Sequence, residues 1–196
     1  MNTRLAPRIL AGRIAVACLL CLGFWQFGQG AYIPAKAWVA QELMQRAWRR
    51  SENCEVQATP WPWADTFPVA RISAKGGEID LIILEGGSGR TLAFAPGHLS
   101  ASVLPGETGN TVIAGHRDTH FQFLQYMKKG ESILIETAKG RKHLYQVTGI
   151  DVVDSRRGSL VLDTESPMLS LVTCYPFDAP EAGGPMRFVV TATMLF

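Results

Sequence analysis

The chain has 196 residues, a hydrophobic fraction of 47%, a charged fraction of 18% and a formal net charge of +2. A charge content below the usual quarter or so excludes a disordered or coiled-coil protein, and four cysteines are too few for a disulfide scaffold. Residues 1–50 carry seven Lys/Arg and one Glu (+6) and residues 51–196 carry twelve and sixteen (−4), so the larger part lacks the positive surface of a nucleic-acid binder.

Arg4, Arg8 and Arg13 precede an apolar run from Ile14 to Phe27. Extended to Ile33 it reaches 20 residues, about the length a helix needs to cross a bilayer core. Trp25 and Tyr32 suit one interface, and Arg13 can reach back to the other. Residues 1–33 therefore read as a basic start plus a single membrane anchor. The competing reading is a cleaved signal peptide, for which Ala35-Lys36-Ala37 offers a small-x-small site. Both readings put the remainder of the chain outside the cytoplasm.

Residues 34–68 form the next region. Pro34 suits a first helical turn, and Ala40, Leu43, Met44, Ala47 and Trp48 then recur on one face. This predicts a helical stalk, which could lie on a membrane surface. Pro60, Pro62 and Pro68, with Trp61 and Trp63 between them, predict a linker whose tryptophans pack on the body or cover a groove.

Residues 69–196 are short apolar bursts punctuated by Gly, Pro, Asn and Asp. Strands are predicted at Val69–Ser73, Glu78–Leu84, Thr91–Ala95, Thr111–Ala114, Ser132–Thr137, His143–Asp154, Ser170–Cys174 and Arg187–Leu195. Eight strands at this spacing indicate an all-β sandwich or barrel. One short helix is predicted at Thr119–Met127, where Phe123, Leu124 and Met127 share a face.

Cys174 ends an apolar strand and is followed by Tyr175-Pro176. A thiol where a rigid strand opens into a loop is well placed to act as a nucleophile; the alternative is an inert core cysteine. Cys18 and Cys21 fall in the apolar run, whereas Cys54 could pair with Cys174 in an oxidising compartment and would then block it. A catalytic thiol needs a proton partner and a donor for the carbonyl oxygen. His116 follows the strand Thr111–Ala114 through Gly115, and Arg187 opens the last apolar strand. His116 and His120, four apart, are also a conceivable metal pair, though without an HExxH motif or a cysteine cluster. Asp118 could partner His116 or Arg117, or simply face solvent. Spacing alone does not bring His116, Cys174 and Arg187 together.

Three segments in this order resemble the sortases, a family of membrane-anchored cysteine transpeptidases. They are Thr111-Val112-Ile113-Ala114-Gly115-His116-Arg117-Asp118, Leu169-Ser170-Leu171-Val172-Thr173-Cys174-Tyr175-Pro176, and Arg187-Phe188-Val189-Val190. Ser170 departs from the family's T-L-x-T-C pattern, while Thr173 and Cys174 keep it. The resemblance covers about Val69 to Phe196 and implies an eight-stranded β-barrel with a groove for an extended sorting signal. It implies Cys174 as nucleophile, His116 as general acid and then base, Arg187 as donor to the carbonyl oxygen, and Thr173 as a substrate-orienting residue. The implied partner is an exported protein with a carboxy-terminal sorting signal, cleaved through a thioester and passed to an amine or to water; no cofactor or metal is implied. Pro105-Gly106-Glu107-Thr108-Gly109-Asn110 is similar to the Gram-negative members, which implies an inner-membrane enzyme facing the periplasm with one dedicated target. Leu104–Gly109 is similar to a sorting motif but has one residue too many and lies inside the body. The rival functions are a tethered β-barrel that only binds peptides, and a metal-dependent hydrolase using His116 and His120.

Overall fold

Alternating apolar residues become strands here because one face of each closes on a common interior. In the computed structural model, which describes residues 5–54, 57–181 and 183–195, Ala70, Ile72 and Ala74 of β1 (Pro68–Ala74) are buried and the residues between them are partly exposed. β2 (Ile79–Glu85), β3 (Gly97–His98), β4 (Asn110–Ala114), β5 (Ser132–Thr137), β6 (Lys142–Asp154), β7 (Met168–Cys174) and β8 (Met186–Met194) complete the set. They close into a barrel in the order β1-β2-β3-β4-β7-β8-β6-β5. Its interior holds Ile72, Ile83, Ile113, Phe121, Leu124, Ile133, Ile135, Tyr145, Leu169, Leu171 and Val190. The eight-stranded closed barrel expected from the resemblance is therefore present.

Two predicted elements differ. Thr91–Ala95 is not a strand: Ser88 accepts the Thr91 backbone N–H and starts a helical turn, α2 (Gly89–Leu92). The missing strand is the two-residue β3, too short to show alternation, which pairs in parallel with β2 and antiparallel with β4. The Thr119–Met127 helix is reduced to a 3-10 turn, Gln122–Tyr126, so His116 and His120 do not share a helical face.

The chain divides into two compact units, Met1–Gln41 and Glu42–Phe196. A helix α1 (Leu5–Cys54) contributes to both, and Pro34 lies inside it rather than opening a new helix, at the loss of one i→i−4 hydrogen bond. Among the described residues no helix is long and apolar enough to cross a membrane. Within the larger unit, Met44 and Trp48 of α1 pack with Ile82, Leu84 and Ala95 on the outer face of β2. Of the apolar face predicted for a stalk on a membrane surface, Met44 and Trp48 are thus covered by the barrel. Of the two linker tryptophans, Trp61 packs edge-on against Phe94 at 5.1 Å, whereas Trp63 is 81% exposed. Thr66 donates to the Glu85 carbonyl, fixing the linker's end to β2.

At the end of β6 the Asp154 carboxylate accepts the Arg156 backbone N–H (2.9 Å) and two guanidinium N–H groups (3.1 and 2.8 Å). Those hydrogen bonds hold the Asp154 carboxyl down to about 2. Because its folded value lies below the ordinary carboxylate range near ~4, the stabilisation is complete above that range and is lost as pH falls through the folded value. Carboxyl NMR should show Asp154 titrating near pH 2, and an ordinary midpoint would show that the turn is not held this way. Replacing Trp48, almost fully buried, by Ala should cost about 3–5 kcal/mol in denaturant melts. A loss under ~1 kcal/mol would mean that α1 does not dock on β2.

Candidate active site

The site follows from strand register. β4 and β7 pair in parallel, with Ala114 opposite Val172, and the ladder continues as the Gly115 N–H donates to the Val172 carbonyl (3.1 Å). One step further the Thr173 hydroxyl donates to the Gly115 carbonyl (2.7 Å), which brings the ends of both strands to one rim of the barrel. β7 and β8 pair antiparallel with Cys174 opposite Arg187. His116, Cys174 and Arg187 thus arise from the same end of three adjacent strands. The His116 side chain is exposed, and Cys174 is a half-buried free thiol. The side chain of Cys54, considered as its pairing partner, lies outside the described residues.

Each backbone around these groups is held. Gly115 leaves room for Phe121: a Cβ there would sit 2.8 Å from the buried Phe121 ring. The Phe121 N–H returns to the His116 carbonyl (3.0 Å). Thr173 is buried with its hydroxyl committed to Gly115, so the residue implied to orient substrate has its side chain in the frame between β4 and β7. Arg187 donates through Nη1 to the Gly184 (2.7 Å) and Met186 (2.9 Å) carbonyls; its Nε and Nη2 have no acceptor among the described residues. The loop after Cys174 is anchored by Phe177, which meets Phe188 edge-on at 5.1 Å, while Tyr175 stacks on Phe188 at 6.3 Å.

Arg117 is only 5% exposed, a burial that no sequence pattern announces. Its Nη1 donates to the Pro176 carbonyl (2.6 Å), its Nη2 to the Ala179 carbonyl (3.0 Å), and Nε and Nη2 grip Asp118 (2.6 and 3.0 Å). Asp118 therefore partners Arg117, whose hydrogen bonds hold its carboxyl below the usual range, with a further contribution from the His116 charge. His120 is displaced downward, first by burial and then by repulsion from His116. Among the described residues no three His, Cys, Asp or Glu side chains are grouped to hold a metal ion.

The structure also contains a second polar cluster that the sequence did not reveal. His98 is buried with Nδ1 2.9 Å from Glu85 Oε2 and Nε2 3.1 Å from the Val103 carbonyl oxygen. It borders a cavity of about 680 Å³ that also reaches Lys139 and Arg141 and includes none of His116, Cys174 and Arg187.

Residues 71–195 match the sortase domain. Sortase D of Bacillus subtilis (strain 168) is 32% identical over 112 residues, which make up 57% of this chain and 56% of that protein, so the chain matches little over half of that relative's length. Among solved structures, the Clostridium perfringens sortase D5 transpeptidase shares the fold with a TM-score of 0.65 at 22% identity, covering 81% of this chain and 99% of that one. Sortase A from Corynebacterium diphtheriae superimposes with a TM-score of 0.61 at 26% identity, covering 81% and 83%. With the domain match spanning most of the barrel whose rim carries His116, Cys174 and Arg187, the chain belongs to the sortase family.

Proposed function

We propose that this chain is a membrane-anchored cysteine transpeptidase that cleaves the carboxy-terminal sorting signal of an exported partner protein. The observation that carries this reading is the placement of His116, Cys174 and Arg187 at one rim by the β4–β7 and β7–β8 registers. Its similarity to cysteine transpeptidases of the sortase family supports the same reaction class.

In the proposed reaction the Cys174 sulfur attacks the peptide carbonyl carbon of the sorting signal. Arg187 donates to the carbonyl oxygen as negative charge develops there, and His116 gives its proton to the departing amine. The acyl group is left on Cys174 as a thioester. An incoming amine, or water, then loses a proton to His116, attacks the thioester carbonyl and expels the Cys174 thiolate. Every step uses groups carried by the chain, so the proposal invokes no cofactor. Thr173 acts in this scheme by holding the His116 and Cys174 backbones together.

The anchor belongs to the proposal as well. Leu19, Phe24 and Trp25 of α1 are 68%, 77% and 67% exposed, an apolar surface that a lipid environment would cover. With Arg4, Arg8 and Arg13 ahead of it, this segment supports an inner-membrane anchor with the barrel in the periplasm. The Cys174 thiol would then meet its exported target, a single dedicated protein, at the membrane surface.

Mass spectrometry of the wild-type chain mixed with sorting-signal peptides should show a thioester adduct on Cys174, and Cys174→Ala should show neither adduct nor cleavage. Cleavage by Cys174→Ala would rule out the mechanism. Arg187→Ala should lower kcat by about 10²–10³, and His116→Ala by about 10²–10⁴. In cell fractionation the full chain should stay with membranes through high-salt washing and leave only with detergent, while recovery in the soluble fraction would contradict the anchor.

A further inference from the structure

The neighbours of His116 in the chain are bonded to the neighbours of Cys174. Before the histidine, the Gly115 carbonyl accepts the hydroxyl of Thr173, the residue before Cys174. After the histidine, Arg117 donates to the carbonyls of Pro176 and Ala179, two and five residues beyond Cys174. The reacting pair is bracketed on both sides by hydrogen bonds that join one segment to the other.

The Arg117 bracket has the features of a built clamp. A guanidinium has five N–H donors in a planar fork. Here Nε and one Nη2 hydrogen go to Asp118, the other Nη2 hydrogen to Ala179, and one Nη1 hydrogen to Pro176. The side chain is buried, while Asp118 remains 60% exposed at the outer edge. The carboxylate fixes the plane of the fork and leaves the opposite edge directed at the loop. Lys, with three donors on a single atom, cannot keep two carbonyls and a bidentate carboxylate in this arrangement. The hydrogen bonds to Asp118 are also what chiefly favours the charged form of the Arg117 guanidinium.

We propose that Arg117 is a positioning residue that locks the loop following Cys174 to the segment bearing His116 and so fixes the distance over which thiol and imidazole interact. This rests on the reading of Cys174 and His116 as the reacting pair. Arg117 touches neither substrate nor the bond being broken; it acts through Pro176, Ala179 and the backbone of its own segment. Without it two loop carbonyls lose their donor, and the loop keeps the Tyr175 N–H bond to the Met186 carbonyl and the contacts of Tyr175 and Phe177 with Phe188, all on the β8 side and none to the segment bearing His116. The separation of thiol and imidazole then spreads over a range, and the productive fraction of molecules falls.

The test measures the pH dependence of Cys174 alkylation by iodoacetamide in the full chain. It compares wild type, Arg117→Lys, His116→Gln and the double variant, with Cys18, Cys21 and Cys54 replaced by Ser throughout. The expected result is that His116→Gln alters the profile, Arg117→Lys reproduces that altered profile, and adding Arg117→Lys to His116→Gln changes the rate less than twofold. In the same background Arg117→Lys should lower kcat for a sorting-signal peptide about 10–100-fold with KM within threefold. The proposal is overturned by an Arg117→Lys profile that overlays wild type, by an equal shift with and without His116, or by a His116→Gln profile identical to wild type. If Arg117→Lys fails to fold by thermal melt, Asp118→Asn takes its place, since that side chain is exposed. It should shift the profile in the same direction by a smaller amount, and no shift is again fatal. Alkylation requires no peptide, so the two readings fail separately. A coupled profile without a thioester adduct would remove the transpeptidase reading and leave the clamp, and an adduct with an uncoupled profile would do the reverse.

Discussion

The parallel pairing of β4 with β7 is the constraint on which the site depends. Most neighbours in this barrel are antiparallel, and β4 is only five residues long. If β4 ran the other way, the residue leaving its carboxy end would emerge at the opposite end of the strand, about 17 Å from Cys174 at ~3.4 Å per residue. Parallel pairing instead delivers His116 and Cys174 to the same rim. It requires a long crossover, and residues 115–167 supply it while also building β5 and β6. The hairpin-like pairing of β7 with β8 then adds Arg187 opposite Cys174 without any further device.

At that rim the fold fixes backbones and leaves reactive tips accessible. The Gly115 carbonyl is held by Thr173, the His116 carbonyl by the Phe121 N–H, and Arg117 by the loop beyond Cys174, yet the imidazole itself is exposed. Phe121 fits only because position 115 has no Cβ. The nucleophile and proton partner of the proposed reaction need this combination, because a misplacement of about 1 Å can cost on the order of 10² in rate. An imidazole packed as tightly as its backbone would have no room to pass a proton between leaving and entering amines.

Periodicity made the long strands legible. β1, β5 and the first half of β6 alternate in sequence and in burial alike. It failed where a local hydrogen bond or a very short ladder decided the structure: Ser88 capping a turn over residues predicted as strand, and β3 with two residues. The Met44/Trp48 face was visible, but not its partner, since an amphipathic helix reads the same whether a sheet or a membrane covers it. Cys174, His116 and Arg187 could be singled out from strand ends, and their meeting came from the resemblance. Arg117 and the His98–Glu85 pair were illegible for a different reason. A buried charge is defined by what surrounds it, and the carbonyls that hold Arg117 lie 59 and 62 residues away.

Arg187, the carbonyl donor of the proposed reaction, is held in the same way. A free arginine loses up to ~2 kcal/mol of rotamer freedom when it is ordered. Here Nη1 is already tied to the Gly184 and Met186 carbonyls, and the backbone of Arg187 is fixed twice, opposite Cys174 on β7 and Val153 on β6. Asp154 next to Val153 pins the start of the β6–β7 loop, and the Ser155 N–H donates to the Pro185 carbonyl in the segment leading into β8. The loop that precedes the arginine and the one that leaves β6 therefore brace each other. Part of the ordering of the guanidinium is complete before substrate arrives. In the proposed reaction Nε and Nη2 are left to meet the oxygen as its charge grows, so that their hydrogen bonds favour the transition state over the bound peptide.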